Sequence, residues 1–134
     1  MPHVYAAVRS LRDHELVDGG DCVALVKAFA PGLKGYSTLR WRPGDHVVDV
    51  ATKLAPGTAI ATFEKGRYPQ RRSGQHAAFF LGSAGSGIWV MDQWKGDRNK
   101  PTVSKRHIPK RGQNPDGSYR DPSNNAEAFY VIER

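Results

Sequence analysis

Residues 73–94 read SGQHAAFFLGSAGSGIWVMDQW, two apolar runs separated by glycine, serine and alanine. Each run has the composition of a strand, and the small turn-forming residues between them predict a β-hairpin. AAFFLG is apolar enough to lie inside a sheet, so further strands are expected on either side of it. PGTAIATF at 56–63 reads as a turn and a strand, and AFYVIER at 128–134 as a closing strand. The polar, basic stretch 95–125 is rich in turn formers and reads as a loop-rich excursion around a short strand at Thr102–Ile108.

Helical signals come earlier in the chain. Val4, Ala7, Val8 and Leu11 recur at three- and four-residue steps, which predicts a helix over 4–16, broken by Asp18, Gly19 and Gly20. Asp21 is placed to cap a second helix in which Cys22, Val23, Val26, Phe29 and Ala30 share a face before Pro31 and Gly32 end it. Residues 33–50 mix aromatic, basic and glycine residues, with a weak helix expected at Val47–Lys53. Helices followed by strands, without βαβ alternation, predict an α+β fold in which N-terminal helices pack on an antiparallel sheet.

The chain has 134 residues, 39% of them apolar and 10% aromatic, enough for one modest core; a single domain over 1–134 is expected. The lone cysteine excludes an internal disulfide. No CxxC or HxxxH spacing points to a metal, and neither a metal nor another cofactor is expected. The first twenty residues have no basic segment followed by an apolar run, so neither a signal peptide nor a membrane span is expected. Synthesis in the cytoplasm follows, with export by another route if the protein acts outside it. Twenty Lys and Arg against thirteen Asp and Glu give a net charge of +7, which favours an anionic partner: nucleic acid, a membrane face or a cell wall.

Cys22 stands at or near the first position of its helix, facing inward. A cysteine there is either a small buried apolar side chain or a nucleophile whose thiolate is stabilised by unpaired helix N–H groups and by a neighbouring imidazolium. His76 is the candidate imidazole, because it opens a strand that is otherwise apolar; His3, His14, His46 and His107 sit in polar surroundings. Counting across the hairpin puts His76 opposite Asp92 or Gln93, depending on a one-residue register choice. Asp92 is the preferred orienter, since a carboxylate also stabilises imidazolium and an acid in IWVMDQW needs a partner if buried; Gln93 is the alternative.

DCVALVKAF, then GQHAAFFLG, then GIWVMDQW resembles the Cys, His and polar-residue series of papain-like cysteine amidases of the CHAP and NlpC type. PGTAIATF, GRYP and DPSNNAEAFYVIE extend the resemblance to small single-domain members associated with type VI secretion amidase effectors, covering most of residues 16–134. The resemblance implies a papain-like fold and cleavage of peptide bonds in bacterial peptidoglycan, with Cys22 as nucleophile, His76 as base and Asp92 as third residue. It further implies injection into the periplasm of a target cell, a secretion apparatus and a cognate immunity protein. Asp21 stands where CHAP-type enzymes often carry Gln, so the oxyanion donors are open: the Cys22 N–H, with Tyr5 or Gln75 as further candidates.

Arg67, Arg71 and Arg72 precede His76, and Lys95, Arg98 and Lys100 follow Asp92, so both flanks are basic. Either this is solvated surface or it attracts stem-peptide carboxylates, with Arg72, Lys95 and Trp94 as substrate contacts. The alternative function is a non-catalytic basic module with a structural cysteine. It would bind cell wall, or nucleic acid stacked on Tyr68, Trp89, Trp94 or Tyr119, although no nucleic-acid motif is present.

Overall fold

The apolar runs pair as a hairpin: β3 (Ala77–Ala84) and β4 (Gly87–Asp92) are joined by Gly85 and Ser86, with Ala84 opposite Gly87. In the computed structural model, which describes residues Met1–Arg134, this hairpin lies within a six-stranded antiparallel sheet. The other strands are β1 (Arg42–His46), β2 (Ala59–Thr62), β5 (Ser104–Pro109) and β6 (Phe129–Glu133), and the order is β1-β6-β2-β3-β4-β5. The strands predicted at 56–63, 102–108 and 128–134 are therefore present. No helix is long and apolar enough to cross a membrane.

Every residue of β2 is buried, because both faces of the sheet are covered there. On one face Ala59, Ala61, Ala77, Phe79 and Met91 pack under α1 (Cys22–Phe29) and under Val8 and Leu11. Leu25 and Val26 of α1 are fully buried, a contribution of roughly 1.5–3 kcal/mol each. On the other face Ile60, Ala78, Phe80, Val90, Ile108 and Phe129 pack under Val47 of the short helix α2 (Val47–Val50) and under Ala126.

Two expectations are corrected. The helix predicted over 4–16 is only a 3₁₀ turn at Val8–Leu11. The residues before it are taken up by the sheet: Tyr5 N donates to Gly57 O at 2.8 Å, and Ala59 N to His3 O at 2.8 Å. The crossing is close enough that a Cβ on Gly57 would lie 2.1 Å from Tyr5 O. Asp13, at φ 68°, bars helix beyond it. The second correction is β1, which sequence reading missed. RPGDH has no apolar alternation, and its proline is tolerated because β1 is an edge strand, with an irregular register against β6 between Pro43 and His46.

Candidate active site

Asp21 caps α1 as expected, its side chain accepting from Val23 N at 3.2 Å, and Cys22 is the first helical residue. The loop before it is docked onto the end of β4. Gln93 Oε1 accepts from Val17 N at 2.8 Å, and Gln93 Nε2 donates to Val17 O at 3.0 Å and Asp21 O at 2.6 Å. Lys95 N donates to Gly20 O at 3.1 Å. Gly20 adopts φ +90°, and a Cβ on it would meet Lys95 Cβ at 2.7 Å, so the Gly-Gly of GGDC permits the contact that brings Cys22 to the sheet. Gln93 is thus fully engaged with backbone and does not orient His76.

Asp92 holds the histidine. His76 Nε2 donates to Asp92 Oδ2 at 2.7 Å, and the two side chains are 1% and 0% exposed. The hairpin reaches this pairing by a route that counting missed. The register shifts between Phe80 and Gly82, and beyond the shift Phe79 faces Met91. Continued outward, that register sets His76 beside Trp94, with Asp92 on the diagonal of the same face. The two rings stack at 4.9 Å and 27°, and Phe129 meets the imidazole edge-on at 6.3 Å.

Burial alone would push the His76 pKa down. The hydrogen bond to Asp92, with the charges of Asp92 and the nearby Cys22, outweighs it and raises the ring from 6.5 to about 9. With Nε2 committed to Asp92, Nδ1 is the nitrogen left for the thiol. Asp92 is held well below the usual carboxylate range despite its burial, by His76, Arg106 and Lys100. Arg106 Nε donates to Oδ2 at 3.0 Å, and Lys100 Nζ lies 2.6 Å from Oδ1 as an ion pair not aligned as a hydrogen bond. Arg106 also donates to Asn124 Oδ1 at 2.8 Å, which fastens the DPSNN segment behind the pair. Lys100, expected among the surface cations, is therefore a buried partner of Asp92.

Cys22 and His76 open into one cleft of about 600 Å³, a volume typical of ligand sites. Arg72, Trp94 and Lys95, the residues expected to contact substrate, line it and are exposed. Arg71 also lines it but is paired with Glu64, while Arg67 and Arg98 do not reach it.

Tyr68 is the residue whose place in the site sequence reading missed. Its hydroxyl lies 4.0 Å from Cys22 Sγ and its ring packs edge-on against Trp41 at 5.2 Å. At 6% exposed it is no stacking platform for nucleic acid. Burial first, and then the Cys22 and Asp21 charges, raise its pKa, so it remains a proton donor. Of the other oxyanion candidates, Tyr5 packs on Phe29 and Phe79 away from the cleft, and the Gln75 amide donates to Arg71 O.

The chain is similar over nearly its whole length to amidase effectors. A type VI secretion amidase effector 2 protein from Salmonella typhi is 45% identical over 99% of this chain and all of its own length. Domesticated amidase effector 2 from Ixodes scapularis is 40% identical over 87% of this chain and 73% of its own. A solved structure of type 6 secretion amidase effector 2 superposes with a TM-score of 0.87 at 44% identity, covering 98% of this chain and 94% of that one. The model of the domesticated amidase effector 2 family matches residues 7–132, and the chain belongs to that family.

Proposed function

We propose that this protein is an antibacterial peptidoglycan amidase that cleaves amide bonds of cell-wall peptides, with Cys22 as nucleophile, His76 as proton carrier and Asp92 as its orienter. The observation that carries this reading is the buried His76, held by Asp92 at 2.7 Å and lining the same basic cleft as a cysteine that opens a helix. In the first step the Cys22 thiolate attacks the amide carbon, forming a C–S bond and an oxyanion. The Cys22 N–H and the Tyr68 hydroxyl supply hydrogen bonds to that oxygen. His76 gives its proton to the amide nitrogen, the C–N bond breaks, and the amine leaves. His76 then takes a proton from water as the water attacks the thioester, releasing the carboxylic acid and restoring the thiolate.

Arg72 and Lys95 supply positive charge for stem-peptide carboxylates, and Trp94 supplies an apolar face. The family supports delivery to the periplasm of a target cell by a secretion apparatus, with a cognate immunity protein protecting the producer. The test is digestion of purified peptidoglycan by wild type, Cys22→Ala and His76→Ala, with fragments identified by mass. Wild type releases peptide-bearing fragments and both variants release none. Toxicity should appear only when the protein is directed to the periplasm; equal toxicity from the cytoplasm would overturn the reading.

A further inference from the structure

A second cleft, of about 360 Å³, opens between the Val8–Leu11 turn and the start of β4, lined by Arg9, Arg12, Leu81, Gly82, Trp89, Met91 and Lys105. Three of these are cations and none is acidic. Arg9, Arg12 and Lys105 are exposed, and none of them enters a salt bridge, in contrast to Arg71, Lys100 and Arg106 around the catalytic cleft. Trp89 is 36% exposed although its strand neighbours Ile88 and Val90 are fully buried. Lys105 Nζ sits over its ring at 4.5 Å and His107 meets it edge-on at 5.0 Å, so the indole is held in place yet open to solvent. The floor at Gly82 is bare, with nothing within 4 Å of where a Cβ would point.

Unpaired cations round an exposed, fixed indole make a site for a ligand that combines carboxylates with flat or ring-shaped apolar faces. Its position narrows the ligand. Trp89, Met91 and Gln93 alternate onto one face of β4; Gln93 lines the catalytic cleft, and Met91 and Trp89 line the second. The four residue steps between Trp89 and Gln93 span roughly 13 Å. Met91 and Gln93 themselves are buried, at 2% and 0% exposed, so a polymer that occupies both clefts crosses over the segment covering this face.

We propose that the Arg9–Arg12–Trp89–Lys105 cleft is a second binding subsite for the peptidoglycan strand, taking sugar rings against Trp89 and stem-peptide carboxylates against the three cations. This rests on the amidase reading above. The site holds an insoluble, repeating substrate while one of its peptides is cut, so it acts on the polymer and not on a free peptide.

Pelleting with purified sacculi tests it, using Cys22→Ala protein so that the polymer stays intact. Adding Trp89→Ala, or separately Arg12→Glu with Lys105→Glu, should weaken sacculus binding roughly tenfold. The charge reversals are at exposed positions and leave the core intact, which covers the case that Trp89→Ala unfolds. In the Cys22-containing enzyme the same changes should raise the apparent KM for sacculi and leave hydrolysis of a soluble stem peptide unchanged. Sacculus affinity unchanged in both sets of variants would overturn the proposal. So would a Trp89→Ala loss confined to binding of double-stranded DNA. Failure of wild type to cut sacculi would instead sink the amidase reading, while the Cys22→Ala pelleting still reports on the second cleft.

Discussion

The Lys100 ammonium lies 2.6 Å from Oδ1 of Asp92, and both side chains are buried. Its amine also donates to Ser104 Oγ at 2.5 Å and Ser104 O at 3.2 Å, so the charge is held from three sides. The carboxylate that orients His76 therefore balances two fixed cations as well. Lys100→Met should destabilise the protein by about 1–3 kcal/mol, less than breaking an isolated buried pair, because Arg106 and His76 remain on Asp92. Urea unfolding checks this, and an unchanged midpoint would show that Lys100 is dispensable.

Asp92→Asn removes a charge that three groups share. Turnover of peptidoglycan should fall roughly 10- to 10⁴-fold, since an amide can still hold the ring but does not stabilise imidazolium. Stability should fall as well, by about 3–5 kcal/mol, because Lys100 keeps a buried charge without a counter-ion and the half-buried Arg106 loses its carboxylate. An Asp92→Asn enzyme with wild-type kcat would remove Asp92 from the mechanism.

Gln93→Ala should also lower activity, for a different reason. Its side chain makes three hydrogen bonds to Val17 and Asp21 backbone, and without them the loop that carries Cys22 is loosened. His76 keeps Asp92, so the alkaline limb of the pH–rate profile stays where it is in wild type. The measurement is kcat/KM against pH for both variants. A limb displaced in Gln93→Ala would mean that Gln93 acts on the imidazole after all.

Tyr68→Phe keeps the ring against Trp41 and deletes only the hydroxyl near Sγ. We expect kcat to drop roughly 10²- to 10³-fold, with KM and thermal stability little changed, the pattern of a lost oxyanion donor. A variant that loses KM or folding instead would assign Tyr68 to packing or substrate binding.

His76 titrates at about 9 in the folded protein against 6.5 for the free side chain. A raised folded-state value contributes stability that is complete below pH 6.5 and is lost as pH rises through 9. The lowered Asp92 value contributes stability that is present at neutral pH and lost in strong acid; both reflect one interaction and do not add. Urea midpoints should therefore fall between pH 6.5 and 9.5 in wild type by more than in His76→Ala. Activity should fall over the same range, because the ring must carry a proton to the leaving amine. Equal slopes in the two proteins would rule out the raised titration.

Much of this architecture was readable locally. The hairpin, the Asp21-capped helix and the strands at 59–62, 104–109 and 129–133 carry patterns set by their own residues: apolar runs, turn formers and a capping side chain. The 4–16 helix failed because its apolar spacing was right, yet residues 3–5 found backbone partners at Ala59 and Gly57, a contact no local window contains. β1 has no pattern of its own and is made a strand by β6.

For the site, residue types and chain order determined the candidates: the one cysteine at a helix start, a histidine opening an apolar strand, and an acid in the strand that returns beside it. Tertiary structure decided which of them meet. The register shift between Phe80 and Gly82 put Asp92, not Gln93, on His76, and turned Gln93 to the loop before Cys22. Packing elsewhere in the fold brought Tyr68 to the thiol from 46 residues away and drew Lys100 inward to a buried carboxylate. A strand's pattern tells which of its residues share a face, but one shifted residue changes every cross-strand neighbour beyond it, and that choice is made by packing across the whole sheet.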